Sequence, residues 1–232
     1  MTLAARVRQA GFARLRPAEA QAAIGLDAAA LAGWAASWDR LETDGFMADG
    51  GRYRRRRLAN FAALPGVPGH LRGLHRPHFQ ATVHNSLNGG VDRWFAPVED
   101  AVAAHPATRA LLALGHGVAA ALRPATPFFA EMHQFRIEAA PGAPGLPTPE
   151  GVHQDGVDCV LIAMVARTNL RGGETLVTDA ARGELARFTL DGLLDLAVMD
   201  DRRVMHGVTP VEPADPALPS RRDVLVLTWK AC

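Results

Sequence analysis

VHQDGV, residues 152–157, is the most informative stretch of this chain, because it places His153 and Asp155 two positions apart. Side chains at positions i and i+2 of an extended strand point to the same side, so this imidazole and this carboxylate can face one metal ion. An HxD triplet alone occurs often by chance. The segments around it therefore have to show whether it belongs to a metal site.

From residue 128 onward the chain consists of short β-branched and apolar runs separated by glycine and proline, a pattern typical of strands. The expected strands are Phe128–Ala139, Val157–Arg167, Thr175–Asp179, Leu194–Met199 and Val224–Trp229. Residues 140–150 contain four prolines and two glycines and form a loop that leads into the VHQDGV stretch. This half of the chain predicts an antiparallel sheet or barrel.

The first half of the chain is rich in alanine and has the apolar period of helices. Helices are expected at Pro17–Ala23, at Ala28–Leu41 and from about Val98 to Leu122, where Pro106 can break the last of them. We expect these helices to flank the sheet. A chain of 232 residues can bury a full core, and we expect one domain over residues 1–232.

The composition is that of an ordinary globular protein, with 48% apolar residues, 21% charged residues and a formal net charge of +1. So small a net charge does not favour nucleic acid as a partner. The first residues lack the apolar run of a secretory signal, and no later stretch is apolar enough to span a membrane. We expect no membrane association, a cytoplasmic location, and free thiols at Cys159 and Cys232.

A third metal ligand is available at His206, in the sequence VMHGV at residues 204–208. Two histidines and one carboxylate on one face of an octahedral ion form the facial triad of Fe(II) oxygenases, which leaves three coordination sites open. Those sites can accept a bidentate 2-oxo acid and dioxygen. His153, Asp155 and His206 are therefore the expected metal ligands and catalytic residues, with Fe(II) as cofactor and 2-oxoglutarate and O2 as co-substrates.

The distal carboxylate of 2-oxoglutarate needs a buried, permanently charged donor, and the planar guanidinium of arginine is suited to this task. Arg221 and Arg222 both qualify by position, just ahead of the apolar strand Val224–Trp229. Strand alternation points them to opposite sides, but both faces of this strand are apolar. The residues alone leave the choice between the two arginines open.

Four pieces of the chain carry a resemblance to a known family. They are HQDG at 153–156, GGE at 172–174, DDRRVMHGVTP at 200–210 and RDVLV at 222–226. Through them, segment 151–229 resembles the bacterial 2OG-Fe(II) dioxygenase family of free amino acid hydroxylases, which includes L-isoleucine dioxygenase-like and BsmA-like proteins. In that family the arginine that binds 2-oxoglutarate directly precedes an aspartate and an apolar strand. The resemblance therefore selects Arg222, and Arg221 is interpreted as its solvated neighbour.

The resemblance implies a mainly β fold with flanking helices, built on a double-stranded β-helix, or jelly roll. We expect helical and accessory segments in residues 1–125 and the jelly-roll core with the metal site in residues 126–232. The resemblance also implies that a small substrate is hydroxylated while 2-oxoglutarate is converted to succinate and carbon dioxide. The expected substrate is a free L-amino acid or a similar small molecule.

Weaker similarity to the family extends to DGGRYRRRR at residues 49–57. A basic run of this kind can also bind nucleic acid, but the chain as a whole is nearly neutral. If the run is a strand, Arg54 and Arg56 share one face and Arg55 and Arg57 share the other. We expect Arg54 and Arg56 to hold a carboxylate of the substrate, because that pair matches the family better.

A second candidate segment is HQFR at residues 133–136, which also resembles the family. On a strand, Gln134 and Arg136 share one face, and His133, Phe135 and Ile137 share the other. Either set can line the pocket. Gln134 and Arg136 are kept as candidates for substrate contact, and His133 is interpreted as a core histidine outside the metal site.

Four further histidines lie close together in the sequence, at positions 70, 75, 78 and 84. Their spacing fits no standard zinc site, and Pro77 interrupts any helix that could place them on one face. We therefore interpret them as loop or surface histidines.

Two other functions are compatible with parts of this pattern. A jelly-roll protein that binds a metal or a small ligand without oxygenase turnover would carry the same metal ligands, but it has no need of Arg222. A cupin-type isomerase or epimerase shares the fold, yet it would normally carry a second strand histidine in place of Asp155. The metal- or ligand-binding protein is the alternative to the dioxygenase.

Overall fold

The structure is a computed structural model that describes the backbone of residues 1–232 and every side chain except that of residue 28. Its strands are β1 Phe12–Leu15, β2 Glu42–Thr43, β3 Arg54–Ala63, β4 Leu71–Arg72, β5 Phe128–Ala139, β6 Cys159–Thr168, β7 Leu170–Gly172, β8 Glu174–Asp179, β9 Glu184–Thr189, β10 Leu196–Asp200, β11 Val204–Val208, β12 Val211–Pro213 and β13 Ser220–Ala231. The helices are α1 Leu3–Ala10, α2 Pro17–Ile24, α3 Ala28–Ala35, α4 Asp100–Ala103 and α5 Pro106–Leu122, and a 3-10 helix follows α3 at Ala36–Arg40.

Eight strands form one antiparallel sheet in the order β1-β10-β6-β13-β5-β3-β2, with β4 paired to the edge of β3. A smaller antiparallel sheet has the order β11-β8-β9, and β12 pairs with β7 in a short third ribbon. The large and the small sheet face each other and form the jelly roll. The expectation of a mainly β fold with flanking helices and a jelly-roll core is confirmed.

The large sheet buries apolar side chains on both of its faces. Leu225, Leu227 and Trp229 of β13 pack toward the helices in the larger apolar cluster. Val224, on the opposite face of the same strand, belongs to a smaller cluster that includes Val177 of the small sheet. The apolar character of both faces of β13, which left the orientation of the two arginines open, thus has a structural cause.

The expected elements are present, but several of them begin or end at other residues than expected. The long helix expected to Leu122 breaks at Pro106 into α4 and α5, and the helix expected at Ala28–Leu41 ends as a 3-10 helix at Arg40. Proline lacks the N–H group that would continue the α4 hydrogen-bond pattern. The strand expected at Val157–Arg167 spans Cys159–Thr168. Among the residues that the structure describes, none of the helices is long and apolar enough to span a membrane.

Helix α5 packs on the large sheet at Gly115, where an added Cβ would overlap the ring of Trp229. Gly117, on the same helix, has no neighbouring atom near the position of a Cβ. Gly115→Ala is expected to lower the free energy of unfolding by about 1–3 kcal/mol through overpacking. Gly117→Ala is expected to raise it by up to about 1 kcal/mol through helix propensity. Urea unfolding of both variants tests this, and equal stability would contradict the packing.

Candidate metal centre

The three expected metal ligands converge at the edge of the small sheet. His206 lies on β11, and the backbone N–H group of His153 donates to its carbonyl oxygen at 2.9 Å, while the N–H of His206 donates back at 2.9 Å. The two rings have centroids 4.8 Å apart. Asp155 lies beside both, with Oδ1 3.5 Å from His153 Nε2 and Oδ2 3.7 Å from His206 Nε2.

The backbone after Asp155 is fixed by the buried carboxylate of Asp201, in the turn before β11. It accepts hydrogen bonds from the N–H groups of Asp155 at 3.0 Å, Gly156 at 2.8 Å and Val157 at 3.0 Å. Gly156 has a φ of +79°, and a Cβ there would lie 2.5 Å from the ring of His84, so only glycine fits. The charged turn around Asp201 therefore positions the metal-binding segment.

The protonation behaviour of the three groups follows from their mutual contacts. Burial opposes protonation of His153, but the carboxylate of Asp155 beside it outweighs burial and raises the pKa of His153 to about 9. Burial lowers the pKa of His206 to about 4, so this ring is neutral at pH 7. Burial alone would raise the pKa of Asp155, but the two histidines hold it well below its usual range.

The donor set fits Fe(II). One ligand atom from each of His153, Asp155 and His206 lies within 4.8 Å of the other two. The Nδ1 atom of His153 lies 3.0 Å from the carbonyl oxygen of Gly151, so Nδ1–H can donate there and leave Nε2 for a metal. Gln80 donates to Asp155 Oδ1 at 3.1 Å and orients that carboxylate. Sequence reasoning missed Gln80, which lies 75 residues before Asp155 in a loop.

A cavity of about 360 Å³ opens between the two sheets, and the three expected metal ligands lie in its wall. Arg222 lines the same cavity, and its side chain lies on the cavity face of β13. Arg221 points to the opposite face, where its guanidinium lies 3.3 Å from Asp39. The structure thus places Arg222, and not Arg221, in the cavity with the histidines.

The guanidinium of Arg222 is buried, and its Nε atom has no hydrogen-bond partner among the residues that the structure describes. Burial, with a smaller contribution from Arg167, lowers the pKa of Arg222 to about 10, so it stays charged at pH 7. A buried cation without a partner costs free energy. An anion that enters the cavity would therefore be stabilised at Arg222.

Arg54 and Arg56 also line the cavity, and both are buried. Arg54 donates to the carboxylate of Asp44 at 2.6 Å. The guanidinium of Arg56 lies over the rings of Phe95 and Phe135, at 3.6 Å and 4.3 Å from their centroids. The basic run at residues 54–57 is the beginning of strand β3, as the argument from strand alternation assumed. Arg54 and Arg56 are on the face of this strand that lines the cavity.

Gln134 and Arg136 lie on the face of β5 that points away from the cavity. Gln134 donates to Ser37 at 2.9 Å, and Arg136 donates to Asp223 at 2.7 Å and to Asp39 at 2.8 Å. These contacts correct the expectation that Gln134 and Arg136 touch the substrate. The β5 side chains that line the cavity are Phe129, Glu131, His133, Phe135 and Ile137.

A hydrogen-bonded network on the cavity wall was missed by sequence reasoning. Arg56 donates to His133 Nδ1 at 2.7 Å, and His133 Nε2 lies 3.3 Å from Glu131. Glu131 also lies 2.7 Å from His78 Nδ1 and 3.4 Å from the amide nitrogen of Asn60. His78 was expected to be a loop or surface histidine; it lies in a loop, but its side chain is part of this network and not of the surface. Because 53 residues separate His78 from Glu131, no spacing motif links them.

His78, Glu131 and His133 of this network also offer ligand atoms within 4.8 Å of one another, the spacing that a second metal site would need. These two histidines and this carboxylate, however, already have partners among themselves and in neighbouring side chains. Arg56 occupies one nitrogen of His133, and burial with the nearby Arg56 charge lowers the pKa of His133 to about 3. A guanidinium in contact with a ligand also repels a cation. We interpret the network as part of the cavity wall.

The family model described as 2OG-Fe dioxygenase matches residues 35–228. The chain belongs to this 2OG-Fe dioxygenase family. The family assignment confirms the resemblance seen in the sequence, and Fe(II), 2-oxoglutarate and O2 are the cofactor and co-substrates that go with it. The 2OG-Fe dioxygenase match covers β3, β5, the metal centre and most of β13.

Two solved structures are similar to this 2OG-Fe dioxygenase over nearly its whole length. The crystal structure of a bsmA homologue from Methylobium petroleophilum PM1 is 39% identical, with a TM-score of 0.89 over 98% of this chain and 91% of that one. IDO from Bacillus thuringiensis shares the fold, with 18% identity and a TM-score of 0.82 over 99% of this chain and 97% of that one.

One curated relative, 3(1)-hydroxy-L-isoleucine 4-dioxygenase of Pantoea ananatis (strain AJ13355), is 30% identical over 100 residues. The aligned region spans 43% of this chain and 40% of that relative. The chain thus matches less than half of the length of this curated protein.

Proposed function

We propose that the protein is an Fe(II)- and 2-oxoglutarate-dependent dioxygenase that hydroxylates a free L-amino acid or a similar small molecule. The observation that carries this proposal is the placement of Arg222 in the same cavity as His153, Asp155 and His206. A protein that only binds a metal has no use for a buried, unpaired guanidinium facing the metal site. A 2-oxo acid with a second carboxylate can bind the metal and this guanidinium at the same time.

In this proposal His153, Asp155 and His206 hold the iron, and Arg222 binds the distal carboxylate of 2-oxoglutarate. With these bound, the iron centre supplies oxidation of a substrate C–H bond by O2, coupled to conversion of 2-oxoglutarate to succinate and carbon dioxide. The protein's own part is to orient the reactants and exclude water. The buried Val224 and the partly buried Phe135 and Val226 line the cavity and help to do so.

The amino acid part of the proposal is supported by the size and the polar groups of the cavity. A volume of about 360 Å³ suits a small co-substrate and a small substrate together, and not a polymer. Arg54 and Arg56 line it and supply positive charge for a substrate carboxylate. The names of relatives, among them the 3(1)-hydroxy-L-isoleucine 4-dioxygenase, point to the same substrate class.

The test is an anaerobic titration of the protein with Fe(II) and 2-oxoglutarate, followed by a succinate assay in air with each of the twenty free L-amino acids. We expect the charge-transfer absorption of an Fe(II)–2-oxo acid chelate, and succinate formation that one or more amino acids stimulate. A protein that binds the metal without producing this absorption would support the alternative, a metal-binding jelly roll without turnover, and would sink the proposal.

A further inference from the structure

Glu150 is a buried carboxylate of the cavity wall to which the proposed reaction assigns no task. It ends the loop of residues 140–150, and its side chain is 10% exposed. Its Oε1 atom lies 3.4 Å from His153 Nε2. Its Oε2 atom is buried and has no hydrogen-bond partner among the residues that the structure describes.

The contact with His153 does not make Glu150 a metal ligand. A facial triad has to leave three coordination sites for a bidentate 2-oxo acid and dioxygen, and a fourth protein ligand would occupy one of them. When His153 Nε2 binds a metal, it can no longer donate to Glu150 Oε1. The carboxylate is then buried with neither oxygen satisfied, which is costly unless a ligand in the cavity supplies N–H or O–H groups.

On the wall of the same cavity, three buried arginine nitrogens are hydrogen-bond donors without an acceptor. Arg54 Nη2, Arg56 Nε and Arg93 Nε have no hydrogen-bond partner among the described residues. Arg54, Arg56 and Arg93 all line the cavity with Glu150. Arg93 lies near enough to both signs of charge that, besides burial, Arg54 lowers its pKa and Glu150 raises it. Donors for an anion and an acceptor for a cation therefore stand close together.

The other carboxylates of this region are already in use. Glu131 has three donors around it, from two histidines and an asparagine. Asp44 accepts from Arg54 at 2.6 Å and from the backbone of Phe46 at 2.8 Å. Asp155 lies between the two histidines of the metal centre. Among the carboxylates lining the cavity, Glu150 alone has a fully buried oxygen that lacks a hydrogen-bond partner in the described part of the chain.

We propose that Glu150 is the residue that selects for a free amino group, by accepting hydrogen bonds from the ammonium group of an α-amino acid whose carboxylate is bound by Arg54, Arg56 and Arg93. This inference rests on the proposed function and names its substrate class. A purely anionic substrate would leave Glu150 unsatisfied, and a simple amine would leave the arginine nitrogens unsatisfied. A zwitterion satisfies both sets.

The test is equilibrium binding without oxygen, to protein loaded with Fe(II) and 2-oxoglutarate. Each of the twenty L-amino acids is titrated, and the tightest binder is compared with the 2-hydroxy acid that carries a hydroxyl group in place of its amino group. Wild-type protein is expected to prefer the amino acid at least about tenfold, because a charged donor bonds a carboxylate more strongly. Glu150→Gln is expected to weaken amino acid binding on the order of 100-fold and to remove most of this preference.

The charge-transfer absorption of the loaded protein is the second readout and also reports that Glu150→Gln is folded. It is expected to be unchanged in this variant. Glu184→Gln, which changes an exposed carboxylate paired with Arg187, is the matched control and should bind as wild type does. Loss of the absorption in Glu150→Gln would make Glu150 a metal ligand and overturn the inference.

Two further outcomes overturn the inference while leaving the proposed use of Fe(II) and 2-oxoglutarate intact. One is undiminished amino acid binding by Glu150→Gln. The other is the binding of none of the twenty amino acids by a wild-type protein that shows the absorption. Absence of the absorption in wild-type protein would instead sink the proposed function itself.

Discussion

Asp155→Ala is expected to lower metal affinity by more than about 100-fold and to abolish succinate formation. Changes to residues that merely support a metal ligand already cost 10–100-fold in affinity, and here a ligand itself is lost. Without this carboxylate, only the two imidazoles of His153 and His206 remain of the three expected metal ligands. Metal affinity is best measured anaerobically, by the stabilisation that Fe(II) gives against thermal unfolding.

A metal present at 100 times its dissociation constant should stabilise the wild-type protein by about 2.7 kcal/mol. Asp155→Ala should gain almost nothing at the same concentration. Asp92→Ala, which removes an exposed carboxylate, is the control and should respond as wild type does. Retention of the wild-type metal response by Asp155→Ala would show that the facial triad is wrongly assigned.

Arg222→Ala is expected to raise the KM for 2-oxoglutarate on the order of 100-fold. Removing one partner of a buried charge pair costs about 2–5 kcal/mol, and each 1.4 kcal/mol is a factor of ten. The adjacent Arg221→Ala should change this KM less than about twofold, because the side chain of Arg221 lies on the other face of β13 near Asp39. Because these two residues are adjacent, comparing their variants tests which face of β13 is turned toward the cavity.

The two arginine variants can be separated from folding effects by their stability without ligand. Because the buried guanidinium of Arg222 forms no ion pair with a carboxylate of the described residues, its replacement should not lower the free energy of unfolding. Arg221 lies 3.7 Å from Asp223 and 3.3 Å from Asp39, so its loss is the more costly of the two for the ligand-free protein. Equal KM values in both variants would contradict the assignment of Arg222.

The parts of this site that the sequence predicts are those in which local geometry fixes side-chain direction. His153 and Asp155 face the same ion because they are two residues apart in an extended segment. The strands from residue 128 onward are recognisable because β-branched runs alternate with glycine and proline. The choice of Arg222 over Arg221 depended on the family resemblance. Strand β13 is covered by helices on one side and by a sheet on the other, so its apolar residues do not alternate and do not show which face meets the cavity.

The remaining parts depend on contacts that join distant segments. On β5 the polar Gln134 and Arg136 face the helix side, and the apolar Phe135 faces the cavity, which is the reverse of the simplest expectation. Their polarity is satisfied by Ser37 and Asp223, and these partners could not be paired with them from sequence. Strand alternation defines two faces, but only the tertiary structure says which of them meets the ligand.

The two walls of the cavity belong to different sheets, and this affects how the molecule moves. His206 is carried by the small sheet, which also holds His153 by backbone hydrogen bonds, whereas Arg222 belongs to the large sheet. A co-substrate that joins the metal to Arg222 connects the two layers at a place where apolar contact between them is interrupted by the cavity. Separation of the sheets would then require release of the co-substrate. Binding of the co-substrate is thus expected to make local separation of the two sheets less frequent.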